Sequence, residues 1–181
     1  MGHLAVQLAK AKGATVYATC SERNVEFVKS IGADKVFDYT KQDFSKELAE
    51  NNEQVDVVLD CVGGFDLEDK SMPIIKSTGA FVTISAGGGN LTMGNVAKTG
   101  WRLMKNKTLS YFNYPSYYIV MAKPTSGALE EALKLVEEKK LNPHISHIFS
   151  LDKIKDAHKQ SASHRTVGKI VLDIESSFDN N

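Results

Sequence analysis

The residues able to do chemistry in this sequence gather at the ends of short apolar runs. TVYATC (15–20) is followed by Ser21, Glu22 and Arg23, and DKVFDY (34–39) closes on Tyr39. QVDVVLDCV (54–62) closes on Cys61 and Val62 with Gly63 next, and GAFVTIS (79–85) closes on Ser85 ahead of the glycine-rich AGGGN (86–90). If these runs are strands of an open parallel sheet, their carboxyl ends are where a ligand binds. The small residues at 63–64 and 86–89 let a flat or extended ligand approach the backbone closely. Ser21 can hydrogen-bond a phosphate and Arg23 can add a charge-assisted bond, a pair suited to a ribose 2′-phosphate; an acid at that strand end would suit free ribose hydroxyls instead. Glu22, between them, is the one acid nearby. Plainer readings stay open: Ser21 as a helix cap with Arg23 solvated, and Tyr39 packing on the surface rather than stacking on a base.

Other chemistries find less support. His144 and His147 are three apart, but Pro143 and strand-like surroundings argue against helical pairing, and no acidic or cysteine partners cluster nearby. No metal site is expected, although His164 beside Arg165 could help hold a phosphate. Ser161 and Ser163 near His158 have the composition of a nucleophile pair but lack a G-x-S-x-G turn and an orienting acid, which sets hydrolase chemistry aside.

Placing these residues takes strands alternating with helices. Residues 4–12 read as a helix and 15–20 as a buried strand, with Gly2 where a nucleotide-binding turn would end. Asn24 can cap a helix through Ile31 that Gly32 stops, 43–51 form another, and 68–77 a third with Gly79 just past its end. The nearly even alternation is that of βαβ units and a doubly wound, Rossmann-like parallel sheet, in which VDVVLDCV would be a central strand covered on both faces. Further on, 92–104 read as a helix, TLSYFNY (108–114) as a strand followed by an aromatic loop to Pro124, and 126–140 as a helix with Leu129, Ala132, Leu133 and Val136 on one face. Residues 151–161 read as helix, 168–174 as strand and 175–181 as a frayed tail.

The totals fit this picture. The chain has 181 residues with 22 Lys+Arg against 22 Asp+Glu, so no basic excess argues for nucleic acid or an anionic membrane surface. Cys20 and Cys61, both within expected strands, read as buried free thiols of a reducing compartment. No apolar run reaches membrane-spanning length, and the start lacks both a secretory core and an Arg-rich transit pattern.

Three stretches together resemble one family. Ala5-Val6-Gln7-Leu8-Ala9-Lys10, Gly13-Ala14 and Gly32-Ala33-Asp34 through Asp38-Tyr39 are similar to the nucleotide-binding core of the medium-chain dehydrogenases/reductases, in the quinone-oxidoreductase (zeta-crystallin-like) branch. Asp60-Cys61-Val62-Gly63-Gly64 resembles the branch's D-x-V-G-G, and Thr166 to Leu172 resembles its closing G-K-x-V strand. Details are nearest the reticulon-interacting-protein type. The resemblance implies NADP(H) bound across the strand ends and hydride transfer to a quinone or enone, a small-molecule substrate. Gly2 would match the last glycine of the G-G-V-G turn, and the 3–12 helix would turn its N-terminus toward the pyrophosphate. Ser21, Arg23 and Tyr39 would surround the adenosine end, and Cys61, Val62 and Ser85 would line the route to the nicotinamide. Phe112 and Asn113 would flank that ring, and Arg165 and Thr166 would close over the cofactor.

The resemblance also implies a strand and a catalytic domain upstream, so the expectation is a truncated copy. Residues 1–146 would be the dinucleotide-binding domain without its first strand, and 147–174 a segment that in the family returns to the catalytic domain. Catalytic residues would lie outside the chain, this branch lacks catalytic zinc, and the chain alone would be inactive. Unpaired strand edges would favour a homodimer or strand swapping. A cytoplasmic or mitochondrial setting fits the free thiols. The competing reading is a non-catalytic nucleotide-binding, scaffolding or redox-sensing module.

Overall fold

A computed structural model of the chain describes residues 1–85, 92–110, 112–121, 126–163 and 165–174. The glycine-rich loop at 86–90, His164 and the 175–181 tail lie outside the described residues. The chain divides into two compact units: Met1–Thr40 with the described residues from 126 on, and the described residues from Lys41 to Met121.

The first unit opens with helix α1 (Gly2–Ala11), followed by strand β1 (Tyr17–Cys20), helix α2 (Val25–Ser30) and strand β2 (Lys35–Asp38). β1 and β2 pair in parallel, Tyr17 opposite Lys35 and Cys20 opposite Asp38. Phe37 is the buried centre of the pair, and Tyr17 meets its edge at 6.3 Å between centroids. Asp34 sets the register: its carboxylate accepts from the Val16 amide at 2.7 Å and from Lys10 Nζ of α1 at 2.9 Å. The expected burial of the 15–20 strand is limited to its end, because Cys20 is buried while Tyr17 and Thr19 are exposed and Ala18 is half-buried. Asn24 does occupy the position before α2, but its side chain makes no capping bond; its Nδ2 instead donates to Ser21 Oγ at 3.4 Å.

After residue 126 the same unit contains α6 (Ser126–Glu137), β6 (Ile145–Ser150), α7 (Ile154–Ala162) and β7 (Lys169–Asp173), with β6 and β7 parallel. Gln7 of α1 holds the segment before β6 from both sides, donating to the Asn142 carbonyl at 3.1 Å and accepting from the Asn142 amide at 2.6 Å. α6 is shorter than the 126–140 reading, ending before Lys139, which turns back at φ +56°. Its apolar stripe of Leu129, Leu133 and Val136 is exposed.

The second unit holds α3 (Phe44–Glu50), β3 (Val55–Asp60), α4 (Phe65–Ser71), β4 (Ile75–Thr83), α5 (Met93–Ser110) and β5 (Ser116–Ile119), in a parallel sheet of order β3-β4-β5. Met72, Ile75 and Phe81 form its core, with Val55, Val58, Tyr114 and Tyr117 packed against them. All three sheets, β1-β2, β3-β4-β5 and β6-β7, are parallel, the polarity of βαβ units.

Three expectations are corrected in this unit. The third helix does not run over 68–77: it starts at Phe65 and stops at Ser71, because Pro73 has no amide to continue the ladder and forms a short 3-10 turn instead. Gly79 therefore lies inside β4, where an added Cβ would strike the Asp56 carbonyl. The 54–62 run is not covered on both faces. Val57, at 59% exposed, and Leu59 point to one open face, while the opposite face carries Val58. Finally, 108–114 is not a strand. α5 continues to Ser110, with the Thr108 hydroxyl bonded back to Met104, and Asn113 turns the chain at φ +63°. Pro115 then forces Tyr114 into extended geometry, so the strand forms in the stretch read as an aromatic loop, at Ser116–Ile119.

Candidate functional site

In the first unit the parallel pairing of β1 and β2 brings their carboxyl ends together. Ser21 follows Cys20, Tyr39 follows Asp38, and the Tyr39 amide donates to the Cys20 carbonyl at 3.1 Å. Tyr39 is 63% exposed and Arg23 is exposed, so a ring face and a guanidinium are available at one sheet edge. Of the two acids at that edge, Glu22 is exposed and Asp38 is turned inward. Asp38 is buried, and its Oδ1 accepts from the Thr40 amide at 3.0 Å and the Thr40 hydroxyl at 2.7 Å. Burial together with the Asp38 charge pushes the Cys20 thiol up, keeping it protonated. Gly2 is the first residue of α1, and nothing lies within 4 Å of where its Cβ would be. The Gly2 amide lies at the helix N-terminus, the positive end of the helix dipole.

In the second unit the ends of β3 and β4 form a further edge. Asp60 Oδ1 accepts from the amides of Val62 (2.9 Å) and Gly63 (2.7 Å), and Oδ2 accepts from the Thr83 hydroxyl at 2.8 Å. Thr83 Oγ1 accepts in turn from the Ser85 amide at 3.1 Å. Gly63 and Gly64 take φ of +86° and +122°, a pair of conformations open to glycine and strained for other residues, so no side chain shields the backbone at this bend. Val62 projects outward at 79% exposed. Cys61 sits just beyond β3 rather than within it and is half-buried rather than buried, with its thiol pushed up by desolvation.

Beneath this edge lies a polar layer around a cavity of about 10 Å3, lined by Asp60, Glu68, Thr83, Ser85 and Tyr117. Arg102 of α5 bridges Glu68 at 2.9 Å and Asp69 at 2.8 Å, and Asn106 Nδ2 donates to Glu68 at 3.4 Å. The pairing raises Arg102 further above its ordinary value and holds Asp69 below its own. Burial, reinforced by the Glu68 carboxylate, pushes the Tyr117 hydroxyl up to about 12.

The structure thus brings Ser21, Arg23 and Tyr39 together at one edge, and Cys61, Val62 and Ser85 at another. It does not place Phe112 and Asn113 after a strand. They form the turn before β5, at the amino end of a strand parallel to β4, away from the edge where Ser85 lies, and Phe112 is 76% exposed. The residues that do follow β5 are Val120 and Met121, both exposed, with the Val120 amide bonded to the Thr83 carbonyl at 2.9 Å. Arg165 and Thr166 occupy the turn before β7. The Thr166 hydroxyl donates to the Gln160 carbonyl at 3.3 Å, and Arg165 is exposed. A groove of about 700 Å3 in the first unit, lined by Lys10, Phe27, Lys139, Lys140 and His144, contains none of the candidate residues. Its ammonium groups at Lys10 and Lys140 are already paired with Asp34 and Glu138.

Sequence reasoning missed Asp60 and Thr83 as site residues. The signal was a carboxylate interrupting an apolar strand immediately before two glycines.

Residues 31–172 match the zinc-binding dehydrogenase family. The chain is 33% identical over 173 residues to a chloroplast envelope quinone oxidoreductase homolog of Arabidopsis thaliana, covering 96% of this chain and 49% of that protein. It is 29% identical to the mitochondrial NAD(P)H oxidoreductase RTN4IP1 of Danio rerio, covering 96% of this chain and 46% of that one. The quinone oxidoreductase from Coxiella burnetii shares its fold with a TM-score of 0.75 at 33% identity, over 96% of this chain and 49% of that structure. The chain spans about half the length of the curated relatives it matches. Among the described residues no three His, Cys, Asp or Glu side chains gather as a metal-ligand set. With its mixed α/β fold, parallel sheets and a family match spanning most of its length, the chain belongs to the zinc-binding dehydrogenase family of the medium-chain dehydrogenases/reductases.

Proposed function

We propose that this chain supplies the cofactor-binding part of an NADPH-dependent oxidoreductase of the quinone or enone reductase type. The observation that carries the reading is the edge formed by β1 and β2. Ser21, Arg23 and Tyr39 are presented there while Asp38, the buried acid of that edge, is occupied by Thr40. A hydroxyl and a guanidinium accept a 2′-phosphate, and an exposed tyrosine ring offers a face to adenine. The N-terminus of α1 at Gly2, with its dipole's positive end, suits a pyrophosphate.

Bound nicotinamide would supply a hydride to the quinone carbonyl system or to the alkene carbon conjugated with a carbonyl, leaving the oxidised cofactor. The chain's own contribution is positioning. In the second unit the backbone at Gly63 and Gly64 bears no side chain, and in the first unit Arg165 and Thr166 carry a cation and a hydroxyl in the α7–β7 turn. The names of the relatives, a quinone oxidoreductase homolog and an NAD(P)H oxidoreductase, support the same reaction class.

Titration of nicotinamide fluorescence with the purified chain tests the reading. NADPH is expected to bind more tightly than NADH, and equal affinity for the two contradicts the assignment of Ser21 and Arg23.

A further inference from the structure

We propose that Asp60 and Thr83 act as a positioning clamp for the cofactor, a role that rests on the dinucleotide-binding reading above. Asp60 is 3% exposed and Thr83 2%, so neither can touch a ligand directly. What they hold does face outward. One carboxylate oxygen receives the Val62 and Gly63 amides, and the other receives the Thr83 hydroxyl, whose oxygen receives the Ser85 amide. Backbone bonds add to the tie, from the Ile84 amide to the Asp60 carbonyl at 3.0 Å and from the Val120 amide to the Thr83 carbonyl at 2.9 Å. Two side chains therefore fix the ends of β3 and β4, and the β4 end holds that of β5.

The Asp60–Val62 bond is an Asx-turn and the Thr83–Ser85 bond an ST-turn, each complete by itself. The buried Asp60–Thr83 bond, which neither turn needs, ties the two together. Gly63 and Gly64 would otherwise sample many conformations, since both lie where glycine alone moves freely. Three charge-assisted bonds to one carboxylate select a single bend. That bend is the backbone against which a dinucleotide would lie at a sheet's carboxyl edge. Holding it before the cofactor arrives removes an ordering cost from binding.

The test uses the full chain with Thr83→Val, Thr83→Ser and Asp60→Asn, measuring NADPH affinity at a temperature well below each melt together with amide hydrogen exchange. Thr83→Val is expected to weaken NADPH binding about tenfold, as for one lost bond to a buried charge. Exchange should quicken at Val62, Gly63 and Ser85 ahead of the rest of the fold. Thr83→Ser, which keeps the hydroxyl, should restore affinity to within about twofold. If Thr83→Val does not fold, Asp60→Asn carries the test, since its amide still accepts at Val62 and Gly63 but reverses the bond to Thr83. It should bind NADPH several-fold more weakly. Faster exchange at 62–63 with unchanged affinity would show a purely structural tie and overturn the clamp. A wild-type chain that binds neither NADPH nor NADH would instead overturn the dinucleotide reading on which the clamp rests.

Discussion

In the reading proposed above, Arg23 would meet the 2′-phosphate through charge and Ser21 through a neutral donor. Arg23→Glu is therefore expected to weaken NADPH binding about tenfold or more while leaving NADH binding nearly unchanged. A parallel fall for both nucleotides would show that Arg23 serves the fold rather than the 2′-phosphate. Asp43 illustrates a residue whose charge serves stability. Its carboxylate is held well below the ordinary carboxylate range, first by Lys70 at 2.8 Å and then by Ser45, whose amide and hydroxyl it accepts as the cap of α3. A depressed folded-state value means that the stabilisation is complete above the unfolded value of 3.8 and is lost as the pH falls below it. Asp43→Ala should cost about 1 kcal/mol at pH 7, as for other lost caps. That difference from wild type should shrink in melts taken progressively below pH 4, because protonation weakens the wild-type bonds; a constant difference contradicts the assignment. At this scale the strand ends that precede Ser21 and Tyr39 were legible from local signals, whereas the sequence reading took Asp43 into its helix and did not see it as the cap. Asp60 was legible only as a motif letter. Its importance arises from bonding to Thr83, far along the chain, which sequence spacing does not report.

The elements show where local signals compete. β4 accepts Gly79 in its interior because β3 passes close enough there that an added Cβ would meet the Asp56 carbonyl and lie 2.7 Å from the Ile75 side chain. Gly79→Ala is therefore expected to destabilise the protein by about 2 kcal/mol, seen as a lower urea midpoint at unchanged slope. A neutral substitution would mean that the strands separate freely at this point. The same glycine reads in sequence as a helix stop, and Pro73 inside the expected helix is what should have shifted the boundary. The 108–114 error has a different cause. Thr108 and Phe112 favour strands intrinsically, yet α5 is held helical into this region by Arg102 and Asn106, which reach Glu68 of α4 from one face. Tertiary bonding outweighs propensity there, and the strand moves past Pro115.

For the whole molecule, the alternation of strand and helix was enough to give the parallel α/β architecture, since continuous apolar runs divided by capped helices leave few alternatives. The extent of burial was not legible, because it depends on what covers each face. Val57 and Leu59 of β3, and Leu129 and Leu133 of α6, are exposed apolar side chains on regular elements. β1 and β3 are edge strands of their sheets, and uncovered edges and faces of this kind drive association. Sedimentation at rising concentration is expected to show mass above the 19.9 kDa of one chain; a monomer with a cooperative melt at every concentration contradicts this. No helix among the described residues is long and apolar enough to cross a membrane. The chain by itself is expected to give no NADPH-dependent quinone reduction above free-flavin background, and measurable turnover would place catalytic groups within it. The most direct test of the central claim is amide hydrogen exchange with and without NADPH. Protection concentrated at Ser21–Arg23, Tyr39, Val62–Gly63 and Ser85 is the predicted result. Protection elsewhere, with those carboxyl strand ends unchanged, would contradict the account.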